Sequence, residues 1–391
     1  MANAGDGIGP TNRTRNGVIS NWLPKLEIGW RQHFALIDLL YKKNQVKQIT
    51  GGGEIRWRVE TAAPGLKKFI QDQPLSFART GGYTNARLGW GAYRNDDVVS
   101  PEEKAAAQGK WSMMDLVPEV MDRLSNRSFA ELTLECYKDG ANASQDGGID
   151  GLLSMFAYTS GSQTSTHEYA TVLAATYAGL STAYGTVGGV TGQQSGPAAG
   201  ATAAEQMQWN IWSPSVANVT ATVNSVLRSW ADNCDQIISA LIRRLVFSSS
   251  PEDQADCGIL TEEAHRLLLE KMRTTHRVML QESYLATKYG FKPIGSFNFE
   301  GIQFWWDRAC PTTDSSSKVL RGFVLNSSRL ALRYRDPKIT GSKAAPKGNQ
   351  LFRFLDALDL YGGLNDVYIL VSSLQMVAES PKYHGMMSEI S

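Results

Sequence analysis

Paired cysteines are the first thing this 391-residue chain lacks. Its four cysteines, Cys136, Cys234, Cys257 and Cys310, stand far apart and form no CxxC pair. That spacing excludes a disulfide framework and a zinc site, and it fits a reducing compartment. Charge of one sign is also missing: the net charge is +1, so nothing global points to a polyanion-binding surface. Local basic pairs such as Lys42-Lys43 and Lys67-Lys68 read as solvated faces or protein contacts. The opening MANAGDGIGPTNRTR has no apolar core and is no signal peptide. The uncharged run from Tyr169 to Ala204 is Gly, Ala, Thr and Ser broken by further Gly and Pro, which reads as a surface loop or insertion and not a membrane span.

Catalytic patterns are absent as well. There is no GxSxG elbow, no GxxxxGK[ST] phosphate loop and no HExxH. Gly5 to Gly9 follow no strand. His265 and His276 are eleven residues apart, which is not metal-ligand spacing. Cys257 with His265 reads as a core cysteine beside a solvated helix histidine. Asp356 and Asp359 in FLDALDL read as a structural turn or an intersubunit salt bridge. No catalytic, cofactor-binding or metal-binding residue is assigned, and the chain is not read as an enzyme.

What is present is extended. Lys110 to Gly140 reads as one amphipathic helix, with Val117, Val120, Leu124, Phe129, Leu132 and Cys136 near a 3.6-residue period. Pro118 lies in its first two turns, and Asp139-Gly140 supplies a left-handed stop. At 1.5 Å per residue such a strut is roughly 42 Å long. Before it, EIRWRVE (54–60) alternates Ile55, Trp57 and Val59 against charges, and TNARLGWGAY (84–93) alternates Ala86, Leu88 and Trp90. Two such strands joined by a long polar tip predict an antiparallel ribbon that needs a neighbour. Ser100-Pro101-Glu102-Glu103 is a capping box for a short helix.

Ahead of the ribbon, Trp22 to Gln48 carries Trp30, Phe34, Ile37, Leu40 and Tyr41 at helical spacing, ending at Gly51-Gly52-Gly53. An arm this small must pack on something else. Beyond the strut, Pro214 to Phe247 reads as a long buried helix and Cys257 to Thr261 as a short strand. Thr261 caps a helix to about Met272. Phe297 to Trp306 is a strand–turn–strand, Arg321 to Tyr334 gives two strands about Asn326-Ser327, and Val367 to Ala378 another. Helices followed by antiparallel strands, with no βαβ repeat, make the class α+β.

Several stretches, in their order and spacing, resemble the major capsid proteins of tailed bacteriophages, the shell-forming group with the HK97 fold. They are GGGEIRWRVE (51–60), TNARLGWGAYRNDDVVSPEEKAAAQGKWSMMDLV (84–117), CYKDG (136–140), CGILTEEAHRLLLEKM (257–272), FEGIQFWWDRACP (299–311), GFVLNSSRLALRY (322–334) and LVSSLQMVAESPKYHG (370–385). The resemblance covers nearly the whole chain. It implies an N-terminal arm at 1–50 and an extended E-loop at 51–108. It implies a peripheral (P) domain at 109–149 and 318–372, holding the strut as spine helix, and an axial (A) domain at 150–317 and 373–391. It further implies hexamers and pentamers closing an icosahedral head around double-stranded DNA, contacted nonspecifically. Expected partners are other copies of the chain, a portal, decoration proteins and a scaffold. The chain begins at the arm, so scaffolding is expected from a separate protein or from a segment removed beforehand. The expected location is the virion, after assembly in the host cytoplasm, with no membrane and no cofactor. Subunit-contact candidates are Trp57, Lys67, Lys68, Trp90, Asp356, Asp359 and Asn365. Among them, Lys67 or Lys68 with Asn365 are the positions for a Lys–Asn isopeptide crosslink of the kind some members form. Two readings compete: an encapsulin-like bacterial nanocompartment shell holding protein cargo, and a soluble cytosolic enzyme with a site near Asp356, Asp359 and His384.

Overall fold

The computed structural model describes residues 34–49, 52–60, 83–100, 102, 112–140, 148–156, 169–170, 176–182, 186–187, 190–191, 212, 214–220, 222–223, 226–245, 253–274, 297–314, 318–335, 351–355 and 366–389. Lys67, Lys68, Asp356, Asp359 and Asn365 lie outside these residues, as do Trp30 and, of the capping box, Pro101 and Glu103.

Helix α1 (Ala35–Lys42) buries Leu36, Ile37, Leu39 and Leu40. It stops earlier than its periodicity predicts. Asn44 takes a left-handed φ of 55°, and the chain turns into strand β1 (Val46–Gln48) before reaching the glycine triplet. Asparagine tolerates that conformation because its short amide can bond locally. The ribbon follows as β2 (Ile55–Glu60) and β3 (Tyr83–Leu88). The alternation expected to continue to Tyr93 breaks at Gly89-Trp90, and a separate strand, β4 (Gly91–Val99), begins there. Helix α2 (Ser112–Tyr137) is the strut, 26 residues long. It buries Val120, Leu124, Phe129, Leu132 and Cys136 as expected, and also Met121, Ser125, Ser128, Thr133 and Tyr137. Its end differs from expectation. Gly140 is not left-handed, and a Cβ there would sit 2.3 Å from the Ile149 carbonyl oxygen, so the glycine admits a close backbone crossing.

A short helix α3 (Leu152–Met155) leads into the low-charge stretch, where four short strands pair as two hairpins and a fifth joins a larger sheet. These are β5 (Tyr169–Ala170), β6 (Thr176–Tyr177), β7 (Leu180–Ser181), β8 (Thr186–Val187) and β9 (Val190–Thr191). The expected helix over 214–247 is a helix only in its second half. Strands β10 (Ser215–Asn218), β11 (Thr222–Val223) and β12 (Val226–Leu227) precede α4 (Trp230–Arg244). Its β-branched residues favour extended backbone. The helix starts where Ser229 Oγ accepts the Asp232 N–H.

Strand β13 (Cys257–Leu260) and helix α5 (Glu262–Thr274) follow, with Thr261 Oγ1 accepting the Ala264 N–H at 3.4 Å as its cap. Strands β14 (Phe297–Phe299) and β15 (Ile302–Trp306) are joined by Glu300 and Gly301, both at positive φ, as a tight hairpin requires. The remaining strands are β16 (Thr313–Asp314), β17 (Lys318–Leu325), β18 (Leu330–Arg335), β19 (Arg353–Leu355), β20 (Asp366–Ala378) and β21 (Gly385–Glu389).

Two principal sheets result. One has five strands in the order β1-β18-β20-β19, with β4 on the other side of β20. The other has eight, β14-β15-β13-β17-β21-β10-β5, with β16 on β17. The single β-layer expected over 318–372 is therefore divided. Strands β17 and β18 flank the Asn326-Ser327 bend yet belong to different sheets. The chain crosses back at Glu379 to His384, and β21 inserts between β17 and β10. The core is correspondingly in two parts. One lies among α1, α2 and the five-stranded sheet and extends onto the eight-stranded one; the other lies between α4, α5 and the eight-stranded sheet.

A candidate assembly interface at the ribbon

Strands β2 and β3 pair antiparallel, with Trp57 opposite Ala86, Ile55 opposite Leu88 and Arg56 opposite Arg87. The period of two then sorts the ribbon into two faces. Val59, Ala86 and Leu88 are buried and Ile55 and Trp57 half-buried, so this face packs on the subunit's own body. Arg56, Arg58, Asn85 and Arg87 are exposed on the other face, with Tyr83 71% exposed at its far end. Arg56 and Arg87 stand directly opposite one another, a like-charge pair that costs stability in an isolated ribbon. Glu54 relieves it by pairing with Arg56.

Both nominated tryptophans sit at the ribbon's root with partners in the same chain. Trp57 Nε1 donates to the Glu379 carbonyl at 2.9 Å, and Trp90 Nε1 to the Gly52 carbonyl at 3.1 Å. The Arg335 guanidinium stacks over Trp90 at 5.1 Å while its Nε donates to Ser373 Oγ at 2.8 Å. Strand β4 continues from this root and is tied to the strut by polar contacts. Tyr93 donates to Glu135 at 3.2 Å and accepts the Ile149 N–H at 2.9 Å. Asn95 donates to Ser128 Oγ at 2.9 Å, and Arg123 pairs with Asp97.

Residues 34–49 dock on their own subunit. Strand β1 pairs in parallel with β18, and the Leu36 N–H donates to Asp307 Oδ2 at 3.2 Å. Asp307 is buried and also accepts from Tyr137 Oη at 2.9 Å and from the Ala309 N–H at 2.9 Å. Thus one carboxylate joins the arm, the end of the strut and the loop after β15.

Cys257 and His265 each sit in the core among other partners. Cys257 is fully buried with its thiol against the Leu325 carbonyl at 3.6 Å, and burial pushes its pKa far above the usual thiol value. His265, expected to be solvated, is buried and packs on Phe297 at 5.3 Å between ring centres. All four cysteines are free and buried. Burial raises Cys136 to about 12 and Cys234 to about 11, so neither supplies a thiolate near neutral pH. His384, named by the enzyme reading, is fully buried at the crossing between the sheets. Its Nδ1 accepts the Asn326 N–H at 3.3 Å, and burial lowers its pKa to about 3. Beside it, Asp256 accepts from the Ser327 N–H at 2.8 Å and pairs with Lys43 at 3.0 Å. Among the described residues no group of three or more His, Cys, Asp or Glu could hold a metal ion, and no helix is long and apolar enough to cross a membrane.

No protein-family model matches the chain, and no curated protein matches its sequence. Solved structures do match. The capsid of a native GTA particle aligns over 90% of this chain and 91% of its own, with 10% identity and a TM-score of 0.52. The capsid of an empty GTA particle aligns over 89% and 96%, with 10% identity and a TM-score of 0.51. The capsid of cyanophage A-1(L) aligns over 91% of both chains, with 14% identity and a TM-score of 0.50. This chain has the HK97 capsid fold. Within that fold, Arg56 and Arg58 were legible from the alternation of EIRWRVE. Arg87 was likewise legible from TNARLGWGAY, whereas Arg335 and Glu379 were not, because only the tertiary fold brings them to the ribbon.

Proposed function

We propose that this protein is a major capsid protein, assembling through hexamers and pentamers into an icosahedral head around double-stranded DNA. The observation that carries this reading is end-to-end agreement of the fold with capsid subunits, over about nine-tenths of both chains. The ribbon adds physical support. Residues 54–88 carry six basic and three acidic side chains, net +3, and α2 carries five acidic and two basic, net −3. A ribbon whose exposed face is arginine has its complement on the strut of a second copy, where Glu119 and Asp122 are exposed. Contacts of this heterologous kind close into rings and shells.

In this assignment residues 1–50 are the arm and 51–108 the E-loop. The P domain is α2 with the five-stranded sheet, and the A domain is the eight-stranded sheet with α4 and α5. The sheet pairing supports placing the domain crossings at about 326–329 and 379–384, beside the expected 318 and 372. Lys67, Lys68, Asp356, Asp359 and Asn365 remain intersubunit candidates. Trp57 and Trp90 are better assigned as anchors of the ribbon within the subunit. The protein acts structurally rather than as an enzyme, in the virion, with scaffold, portal and decoration proteins as partners and assembly in the host cytoplasm.

The test is electron microscopy and sedimentation velocity of the protein expressed with its scaffold. Closed polyhedral shells are expected. A monodisperse monomer or dimer under those conditions would overturn the reading. Shells that hold a protein cargo and no nucleic acid would favour a nanocompartment instead.

A further inference from the structure

The hairpin β6–β7 lies against the root of the ribbon. We propose that it is a buttress fixing the angle at which the ribbon leaves the body, so that the low-charge insertion governs ribbon geometry and, through it, shell curvature. The curvature step rests on the function proposed above; the buttress itself does not.

Three observations converge. First, the ribbon is a two-stranded sheet, and β2 and β3 pair with no strand of either principal sheet. Its direction therefore depends on a few contacts at its base. Second, the hairpin supplies one of these. Ala178 and Gly179 form its turn at φ of 54° and 76°, and the Ala178 carbonyl accepts the Arg87 N–H at 2.9 Å. A side chain at Gly179 would touch the Arg87 stem at 3.6 Å. An alanine held in the left-handed region costs conformational energy, which the surrounding contacts must offset. Third, the hairpin is itself anchored where the ribbon is anchored. Tyr177 is buried, and its phenol oxygen accepts the Ala378 N–H at 2.9 Å at the end of β20. The next carbonyl along, Glu379, accepts the Trp57 indole. Trp212, beyond the insertion and fully buried, packs on Tyr177 at 6.3 Å between ring centres. The hairpin and the ribbon are thus tied to consecutive residues, Ala378 and Glu379, at the end of β20.

The decisive variant is Tyr177→Phe, which removes one oxygen and keeps the ring in the core. The control is Tyr93→Phe, a similar loss at the β4–strut contact away from the hairpin. Spin labels at Asn85→Cys on the ribbon and Glu262→Cys on α5, with the four native cysteines buried, report the ribbon's distance distribution in the unassembled subunit. Tyr177→Phe is expected to broaden that distribution at least twofold, while Tyr93→Phe leaves it unchanged. A wild-type distribution in Tyr177→Phe, or equal broadening in both, overturns the buttress. If Tyr177→Phe loses its folded circular dichroism spectrum, Trp212→Phe carries the same test with the same outcomes. In shells assembled with scaffold, Tyr177→Phe is expected to give shifted or mixed diameters. A single wild-type diameter overturns the link to curvature alone. Failure of the wild-type chain to form shells counts against the function proposed above, while the spin-label result still decides the buttress.

Discussion

A central strand of one principal sheet and an edge strand of the other are held by different forces. In the eight-stranded sheet all four residues of β13 are buried, with β15 and β17 on either side and α4 and α5 packed against it. Phe304 there is fully buried and stacks on Phe297 at 5.7 Å. In the five-stranded sheet β4 alternates. Tyr93, Asn95 and Asp97 meet the strut through hydrogen bonds and an ion pair, while Ala92, Arg94, Asp96 and Val98 face solvent. Apolar burial is worth several kcal/mol per large side chain and has no direction, whereas each hydrogen bond is worth about 1 kcal/mol and fixes an angle. Burial on both sides fixes β13 in the core. Polar contacts set how β4 meets the strut.

The largest expected effect comes from removing the ribbon tip. Deleting Ala62 to Thr80 is expected to leave a folded, soluble subunit by circular dichroism and to abolish closed shells in electron micrographs. Normal shells from that deletion would end the ribbon's assignment as the intersubunit arm. Next in size, Phe304→Ala in the eight-stranded sheet should cost about 3–5 kcal/mol, through lost burial and a residual cavity, measured by urea unfolding.

The crossing between the sheets responds to acid. The folded chain keeps His384 neutral with a pKa near 3, while an unfolded histidine takes its proton near 6.5. Protons therefore favour the unfolded state below about pH 6.5, and stability contributed by the neutral imidazole is lost progressively as pH falls toward 3. Between pH 7 and pH 4.5 the loss is roughly 2–3 kcal/mol. His384→Asn should flatten that part of the denaturation midpoint against pH; an unchanged slope would remove His384 from the account. Smaller again, Asn95→Ala should cost about 1 kcal/mol by releasing Ser128. The exposed pair Arg123–Asp97 should yield under about 1 kcal/mol in a double-mutant cycle, shrinking with salt.

Legibility in the sequence followed the same division. The strut, β13, the β14–β15 hairpin and β20 were read correctly because burial on a regular face imposes a period. The half-helix at 214–227 was misread because Val219, Val223, Val226 and Leu227 fit helical spacing as well as strands, and β4 was merged with β3 because both alternate. The arm's helix was overextended because Asn44, not the glycines, ends it. Of the ribbon interface, the arginine face could be read from alternation, but its in-chain anchors could not.

By itself the sequence determined the α+β class, the long strut, the two-stranded ribbon and the scarcity of reactive chemistry, because local periodicity and residue type suffice for each. Tertiary structure alone decided that β17 and β18 part into different sheets, that β21 threads between β17 and β10, and that Tyr177 and Trp57 meet at the end of β20. Those depend on hydrogen bonds between residues up to hundreds of positions apart, such as Trp57 with Glu379. No local pattern encodes such pairings.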